Sequence, residues 1–300
     1  MLSAWLRVIR VRFLLSSVIA VSVGLTINWW QTNQIDFLHA LLTFGGVLVL
    51  HASVDLLNDY WDYKRGIDLQ TQRTNLSGGT GVLPEGLLKP LQVYKAGVLF
   101  LVIGSLIGSY FIIIDGVIIA ILLVFAVLSI YFYSTKIVDL GLAEFFVAVK
   151  GTVIVLGTYF IQSSQITTHS IMGGIAVGVL SSLVLFITSF PDHDADKAKG
   201  RRTLVIILGK KKATNVYWVF PIICYAVIGI GVAFDIFPTF CLIVFLTLPI
   251  LIKCGKNLRH SFDDLTKLLP IMNSTLLYSR LTGLLFMLGF IFSGVYKLQQ

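Results

Sequence analysis

Charged side chains are scarce in this chain of 300 residues: Asp, Glu, Lys and Arg together make up 13%, against about 25% in a soluble globular protein. That shortage argues against a water-facing surface around one core, and the residues that are hydrophobic, 56% of the total, recur in long runs. Cysteine is nearly absent. Cys224, Cys241 and Cys254 lie apart in or beside apolar runs, without metal-ligand or redox spacing, and read as packing residues. No strong internal repeat, low-complexity tract or flexible interdomain linker occurs, so residues 1–300 read as a single domain. The apolar run behind Arg7, Arg10 and Arg12 has no convincing small-residue cleavage site after it. It reads as an uncleaved first span with a basic collar.

What is present is a succession of apolar runs near the length of about 20 residues that crosses a bilayer. They cover residues 13–30, 37–57, 93–114, 116–133, 142–161, 171–190, 216–234, 236–252 and 276–296. Backbone groups in lipid must be satisfied within the segment, so these runs predict an all-α, polytopic transmembrane bundle of about nine helices. The short segments 31–36, 115, 162–170 and 235 carry no Lys or Arg, whereas the alternate loops hold nearly all the rest. By the positive-inside rule that basic face and the N-terminus are cytosolic. The net charge of +8 therefore marks membrane topology, and no nucleic-acid partner is expected. Trp29 and Trp30 fall at the outer end of the first span, where interfacial aromatics belong.

Two acidic clusters stand out, in segments 58–92 and 191–213, both expected as cytosolic loops. Asp55, Asn58, Asp59 and Asp62 are spaced i, i+3, i+4 and i+7, which on a continuing helix puts them close to one face, and Asp68 follows Gly66. Asp55 lies within the apolar run, where an ionisable residue is a functional candidate. In the second cluster Asp192 and Asp196 share a helical face and Asp194 points away, with Lys197, Lys199, Arg201 and Arg202 immediately after. Hard oxygen ligands of this kind suit Mg²⁺, which takes one or two carboxylates with water and phosphate oxygens. Carboxylates followed by cations make a diphosphate site. Loop charge places both clusters on one face, each ending a long apolar helix, so their metals could converge over a cytosol-facing apolar active-site cavity.

A substrate with an ionic head and a hydrocarbon tail fits such a place. With a prenyl diphosphate, the metal draws electron density from the leaving group and promotes allylic C–O cleavage, while the embedded cavity shields the cation from water. Tyr131, Phe132 and Tyr133 either offer aromatic faces to that cation or form an interfacial belt. Lys136 is either a phosphate contact or an ordinary positive-inside residue. Lys150 lies deep inside the fifth run, where a pairing with Glu144 or Asp55 is the expectation, and His51, one turn before Asp55, reads as a packing or hydrogen-bonding residue. The glycine-rich segment 75–86 is either a phosphate cradle or a mobile lid, and lacks the Lys-Ser/Thr ending of a nucleotide-binding loop.

Asn58-Asp-x-x-Asp62 and Asp192-x-x-x-Asp196, in that order after the second and sixth runs, resemble the two signature motifs of the UbiA superfamily of intramembrane prenyltransferases, across nearly the whole chain. Asn58-Asp-Tyr-x-Asp62 with Gly66 and Asp68, Ser77-Gly-Gly-Thr-Gly-Val-Leu-x-x-Gly86, Gly141-Leu-Ala-Glu144 and Asp192 through Leu204 look like its 1,4-dihydroxy-2-naphthoate branch, which serves menaquinone synthesis. The chain departs from that branch at Gly66, where an Asp is more common, and at Pro191-Asp-His-Asp, where an Asn/Arg-rich lead-in is usual. The resemblance implies transfer of a polyprenyl group from a prenyl diphosphate to an aromatic or lipid acceptor in a prokaryotic cell membrane. It implies two Mg²⁺ ions held by Asn58, Asp62, Asp192 and Asp196, with Asp59 orienting or completing the first site. Arg10 or Arg12, Lys136, Lys197 and Arg201 or Arg202 would contact the diphosphate.

Other acceptors in the same superfamily are 4-hydroxybenzoate, homogentisate, a porphyrin carboxylate and geranylgeranylglyceryl phosphate. A CDP-alcohol phosphotransferase would gather its acids in one continuous signature, whereas more than 120 residues part the two clusters here. A secondary transporter would place binding residues at the midplane in broken helices; these acids gather at one face.

Overall fold

The computed structural model describes residues 1–299, and every regular element among them is helical. A short α1 (Leu2–Val8) precedes α2 (Val11–Thr32), α3 (Phe37–Lys64), α4 (Pro90–Asp115) and α5 (Val117–Phe132), which ends in a π-helical turn at Tyr133–Ile137. Then come α6 (Ala143–Ser163), α7 (Thr168–Ala198), α8 (Leu204–Leu208), α9 (Lys210–Val216) and α10 (Val219–Ala233). A 3₁₀ stretch, Thr239–Thr247, leads into α11 (Leu248–Ser261), and α12 (Leu265–Leu298) closes the chain. Among the described residues nine helical stretches are long and apolar enough to cross a membrane. Apolar side chains on α4 and α5, such as Leu106, Ile113, Ile121 and Val124, are exposed, as a lipid-facing surface requires.

The clearest departures from the apolar runs lie at the ends that carry the acidic motifs. Segments 58–64 and 191–198, expected in loops, are helical extensions of α3 and α7. Hydropathy stops where charge begins, but helix propensity does not, so the helices outrun their apolar windows. Pro191 sits inside α7 and lacks the N–H of a regular turn; just before it, the Thr188 and Ser189 hydroxyls donate to carbonyls of the preceding turn at 3.0 and 2.9 Å. The N-terminal collar is not a continuation of the first span. Arg10 takes φ +52 and turns the chain between α1 and α2, and α1 packs Ala4 and Val8 against Leu56, Val82, Leu88 and Val93.

Close helix crossings depend on small residues, as in membrane bundles where packing rather than water drives association. A Cβ on Gly151 of α6 would lie 2.7 Å from the Gly178 Cα of α7. On the other side of the bundle, the Ser53 hydroxyl of α3 donates to the Gly97 carbonyl of α4 at 2.8 Å. The largest buried cluster, including Phe186, Phe190, Tyr217, Tyr278, Phe286 and Phe290, joins α7, α10 and α12. Beside it the helices part around a central cavity of about 380 Å³, bounded by α2, α3, α5, α6 and α7 among others.

Candidate active site

The cavity is apolar through most of its length, from Leu50 and Leu185 down to Phe111 and Ile119, and acidic at one end. That end is built by the extensions of α3 and α7. Asn58 and Asp62 from α3 and Asp192 and Asp196 from α7 all line it, together with Asp68 and Arg201. The Asn58 amide donates to Asp62 at 3.0 Å and its carbonyl oxygen accepts from the Ser134 hydroxyl at 2.7 Å, which fixes the amide's orientation.

Arg201 ties the two motifs together. Its guanidinium donates to Asp62 on α3 and to Asp196 on α7, the latter at 3.2 Å, with the arginine only 9% exposed. Burial works against this guanidinium, but Asp62 and Asp196 outweigh it and hold its pKa above the ordinary arginine value. Arg10, partly buried, is the second cation lining this end of the cavity. Burial opposes its charge, and the carboxylates Asp55, Asp59, Asp68 and Asp62 together raise its pKa. Asp68 shows how crowded the rim is: burial first, then the charges of Asp62 and Asp59, push its carboxyl up to about 8.

A hard divalent cation would relieve the same crowding. The Asp68 Oδ2 and Asp192 Oδ1 atoms are buried with no hydrogen-bond partner, and the lining donors at the rim are oxygens. Among the described residues no three His, Cys, Asp or Glu side chains close on one point as a ready-made metal cage. That fits magnesium, which takes few protein carboxylates and completes its shell with water and substrate phosphate. The donor chemistry therefore suits Mg²⁺ at Asn58, Asp62, Asp192 and Asp196.

Asp59 belongs elsewhere. Expected to orient or complete the first site, it turns out of the cavity and accepts the Thr80 N–H at 3.0 Å and the Thr80 hydroxyl at 2.9 Å. One residue of helix rotates a side chain by about 100°, so Asp59 cannot share the direction of Asn58. It anchors the glycine-rich segment over the mouth. The same segment is held by the Gly78 N–H, which donates to Asp192 at 3.3 Å. Arg7 of α1 adds a third tie, donating to the Thr80 carbonyl at 2.6 Å and to both oxygens of Glu85. Gly79, at φ +71, brings its backbone so close to the Asp68 carboxylate that a Cβ would collide with it. The glycine-rich segment, expected as a phosphate cradle or a mobile lid, is thus tied to α1, α3 and α7.

Several residues expected at the substrate lie off the cavity wall. Tyr131 is 38% exposed and packs edge-on against Phe132, off the cavity wall, whereas Ser129, Ile130 and Tyr133 line it. Lys136 is exposed on the π-helical turn, and Lys197, Arg202 and Arg12 are also exposed away from the cavity lining. Within the pairs Arg10/Arg12 and Arg201/Arg202, the cavity receives Arg10 and Arg201. Asp194 points away as its spacing predicts, 81% exposed at the side chain and paired with His193 and Lys210. Glu144 does not meet Lys150; it accepts the Leu204 N–H at 3.0 Å, and among the described residues no carboxylate pairs with Lys150.

The residues not singled out beforehand are those that knit the mouth. Arg65 donates to the Ser134 carbonyl at 2.9 Å, to Asp139 at 3.0 Å and to the Lys199 carbonyl at 2.9 Å, joining the segments after α3, α5 and α7. Thr80, Ser134 and Glu85 act with it. Their partners lie tens of residues away, so no local pattern marks them.

With this geometry, comparison with known proteins becomes specific. The UbiA prenyltransferase family profile matches residues 17–277. The 1,4-dihydroxy-2-naphthoate octaprenyltransferase of Escherichia coli is 25% identical over 307 residues, covering 97% of this chain and 96% of that one. Among solved structures, a UbiA homolog from Aeropyrum pernix K1 superposes with TM-score 0.69 at 15% identity, over 96% of this chain and 98% of that one. A UbiA homolog from Archaeoglobus fulgidus bound to GPP and Mg²⁺ superposes with TM-score 0.60 at 13% identity, over 94% and 99%.

Proposed function

The chain belongs to the UbiA prenyltransferase family, and from that premise we propose that it transfers a polyprenyl group from a prenyl diphosphate to 1,4-dihydroxy-2-naphthoate, with Mg²⁺, at the cytosolic face of a prokaryotic cell membrane. It is an integral membrane protein and a prenyltransferase. The observation that carries the reading is the meeting of the α3 and α7 carboxylates, bridged by Arg201, over an apolar cavity. The E. coli relative's acceptor supports the choice of dihydroxynaphthoate, and the GPP and Mg²⁺ of the A. fulgidus homolog support the donor and the metal. The basic loops at the motif end support the cytosolic orientation.

Asn58, Asp62, Asp192 and Asp196 would hold two Mg²⁺ ions. When bound, the metal neutralises the diphosphate and draws electron density from the leaving oxygen. Arg10 and Arg201 supply the remaining positive charge at the rim, in the forked geometry that suits phosphate oxygens. The apolar length between Leu50 and Phe111 takes the prenyl tail and excludes water from the allylic cation. Tyr133, which lines the cavity, would lend that cation its π face. Thr80, held by Asp59, keeps the glycine-rich segment closed against Asp192.

The acceptor is tested with purified protein, Mg²⁺ and geranylgeranyl diphosphate against 1,4-dihydroxy-2-naphthoate, 4-hydroxybenzoate, homogentisate and geranylgeranylglyceryl phosphate. Mass spectrometry should find prenylated naphthoate-derived product. Product only from another acceptor would transfer the assignment to that acceptor and refute this one.

A further inference from the structure

Ionisable groups are rare along the cavity wall below the rim, yet several share one level. His51 precedes Asn58 by seven residues on α3, and Lys150 lies seven residues into α6 from Ala143. Each is therefore about 10 Å along its helix from the motif end, at 1.5 Å per residue. Ser17 of α2 completes the level: its hydroxyl and His51 Nδ1 are 2.6 Å apart, and His51 Nε2 faces Asp55 Oδ2 at 3.9 Å. All four side chains line the cavity.

Lys150 differs from the other three. Among the described residues it has no hydrogen bond, and no carboxylate oxygen comes within 4.0 Å of its Nζ. The residues one turn away on its own helix, Phe146 and Ile154, are apolar and line the same cavity. Asp55 is near enough for its charge to be felt at Lys150, but it makes no ion pair with it. An ammonium without a partner inside a membrane span is costly and marks a ligand site or an ion path. Ser181, whose hydroxyl lies 3.4 Å from a Cβ built on the adjacent Gly151, adds a neutral polar group to the wall near this depth, and a ligand that brings an anion to Lys150 and a ring to its apolar neighbours fits within the cavity of about 380 Å³.

We infer that Lys150 is the specificity-determining residue for the acceptor, its ammonium receiving the carboxylate of a hydroxylated aromatic acid. This rests on the prenyl-transfer reading and adds the group that recognises the acceptor. The diphosphate is not the anion concerned, because the rim cations Arg10 and Arg201 already stand beside the motif carboxylates one level above. With its carboxylate at Lys150, the ring lies against the apolar wall, and a ring hydroxyl faces the Asp55–His51–Ser17 chain. The acceptor carbon is then held between that level and the rim, where the allylic carbon must be.

Binding separates this inference from the overall reaction. Purified wild-type, Lys150→Met and Lys150→Arg proteins are titrated calorimetrically with 1-hydroxy-2-naphthoate and with 1-naphthol, its analogue without the carboxylate. Wild type should prefer the acid by roughly 10-fold to 100-fold, the range of a charge-assisted bond. Lys150→Met should abolish the preference and Lys150→Arg keep most of it, with Mg²⁺-dependent binding of geranyl diphosphate unchanged in both. Because Lys150→Met removes an unpaired charge from the interior, its melting temperature should equal or exceed that of wild type. Equal affinity of wild type for acid and naphthol, or no measurable binding of either, overturns the inference, as does a preference that survives in Lys150→Met. Prenylation assayed on the same preparations reports separately on the reaction: a Lys150-dependent preference without product formation would refute the reaction and leave the anion site.

Discussion

Asp59 and Thr80 are joined twice, the carboxylate accepting the threonine N–H at 3.0 Å and its hydroxyl at 2.9 Å, across 21 residues of chain. Both residues are buried, so the pair fixes the glycine-rich segment to α3 independently of any substrate. Asp59→Ala leaves two buried donors unsatisfied, at about 1–3 kcal/mol for each group. Amide hydrogen exchange at residues 78–82 should accelerate at least several-fold while the core of α7 keeps its protection. Unchanged exchange in that segment would show that Asp59 does not hold it.

Arg201 carries a different kind of load. It compensates Asp62 and Asp196 on two helices at once, and removing one member of a buried charged set costs about 3–5 kcal/mol because its partners stay buried and uncompensated. Arg201→Gln should therefore lower the denaturation midpoint in metal-free detergent solution. Millimolar Mg²⁺ should return part of the loss, since a divalent cation supplies charge to the same carboxylates. A variant as stable as wild type without metal, or one indifferent to Mg²⁺, would contradict this placement.

The tie between α1 and the loop is exposed and should respond to pH. The hydrogen bonds from Arg7, then its charge and that of Arg73, hold the Glu85 carboxyl below its ordinary value. A depressed carboxylate stabilises the folded arrangement fully above the unfolded glutamate value of about 4.3 and loses that contribution as pH falls through the lowered folded value. Trp5, on α1 beside this tie, should thus report a fluorescence step below about pH 4.3 in wild type. The step should vanish in Glu85→Gln; its persistence there would assign it to another group.

The main features of the fold and the motif pairs are legible because they are local. An apolar run of span length is recognisable within itself, and a pair of oxygen-bearing side chains at i and i+4, Asn58/Asp62 or Asp192/Asp196, shares a face on any helix that continues through it. The role expected of Asp59 comes from the resemblance, whereas the partner it meets here, Thr80, lies in a loop without periodicity. Arg201 and Arg202 are equivalent in composition and separate only when the turn after α7 buries one and exposes the other. Tyr131 and Tyr133 are alike in composition too, and only the structure separates the exposed Tyr131 from Tyr133, which lines the cavity. Arg65, with partners near residues 134, 139 and 199, carries no local mark at all.

Product formation in Asp62→Ala and Asp192→Ala, each with Mg²⁺, a prenyl diphosphate and 1,4-dihydroxy-2-naphthoate, separates a two-motif reaction centre from two unrelated acidic helix ends. Each substitution should lower the Mg²⁺-dependent rate by at least about 100-fold, roughly 2.7 kcal/mol in the barrier, with the bundle still folded by circular dichroism and gel filtration. Near-wild-type turnover in either variant would contradict a shared centre built by α3 and α7.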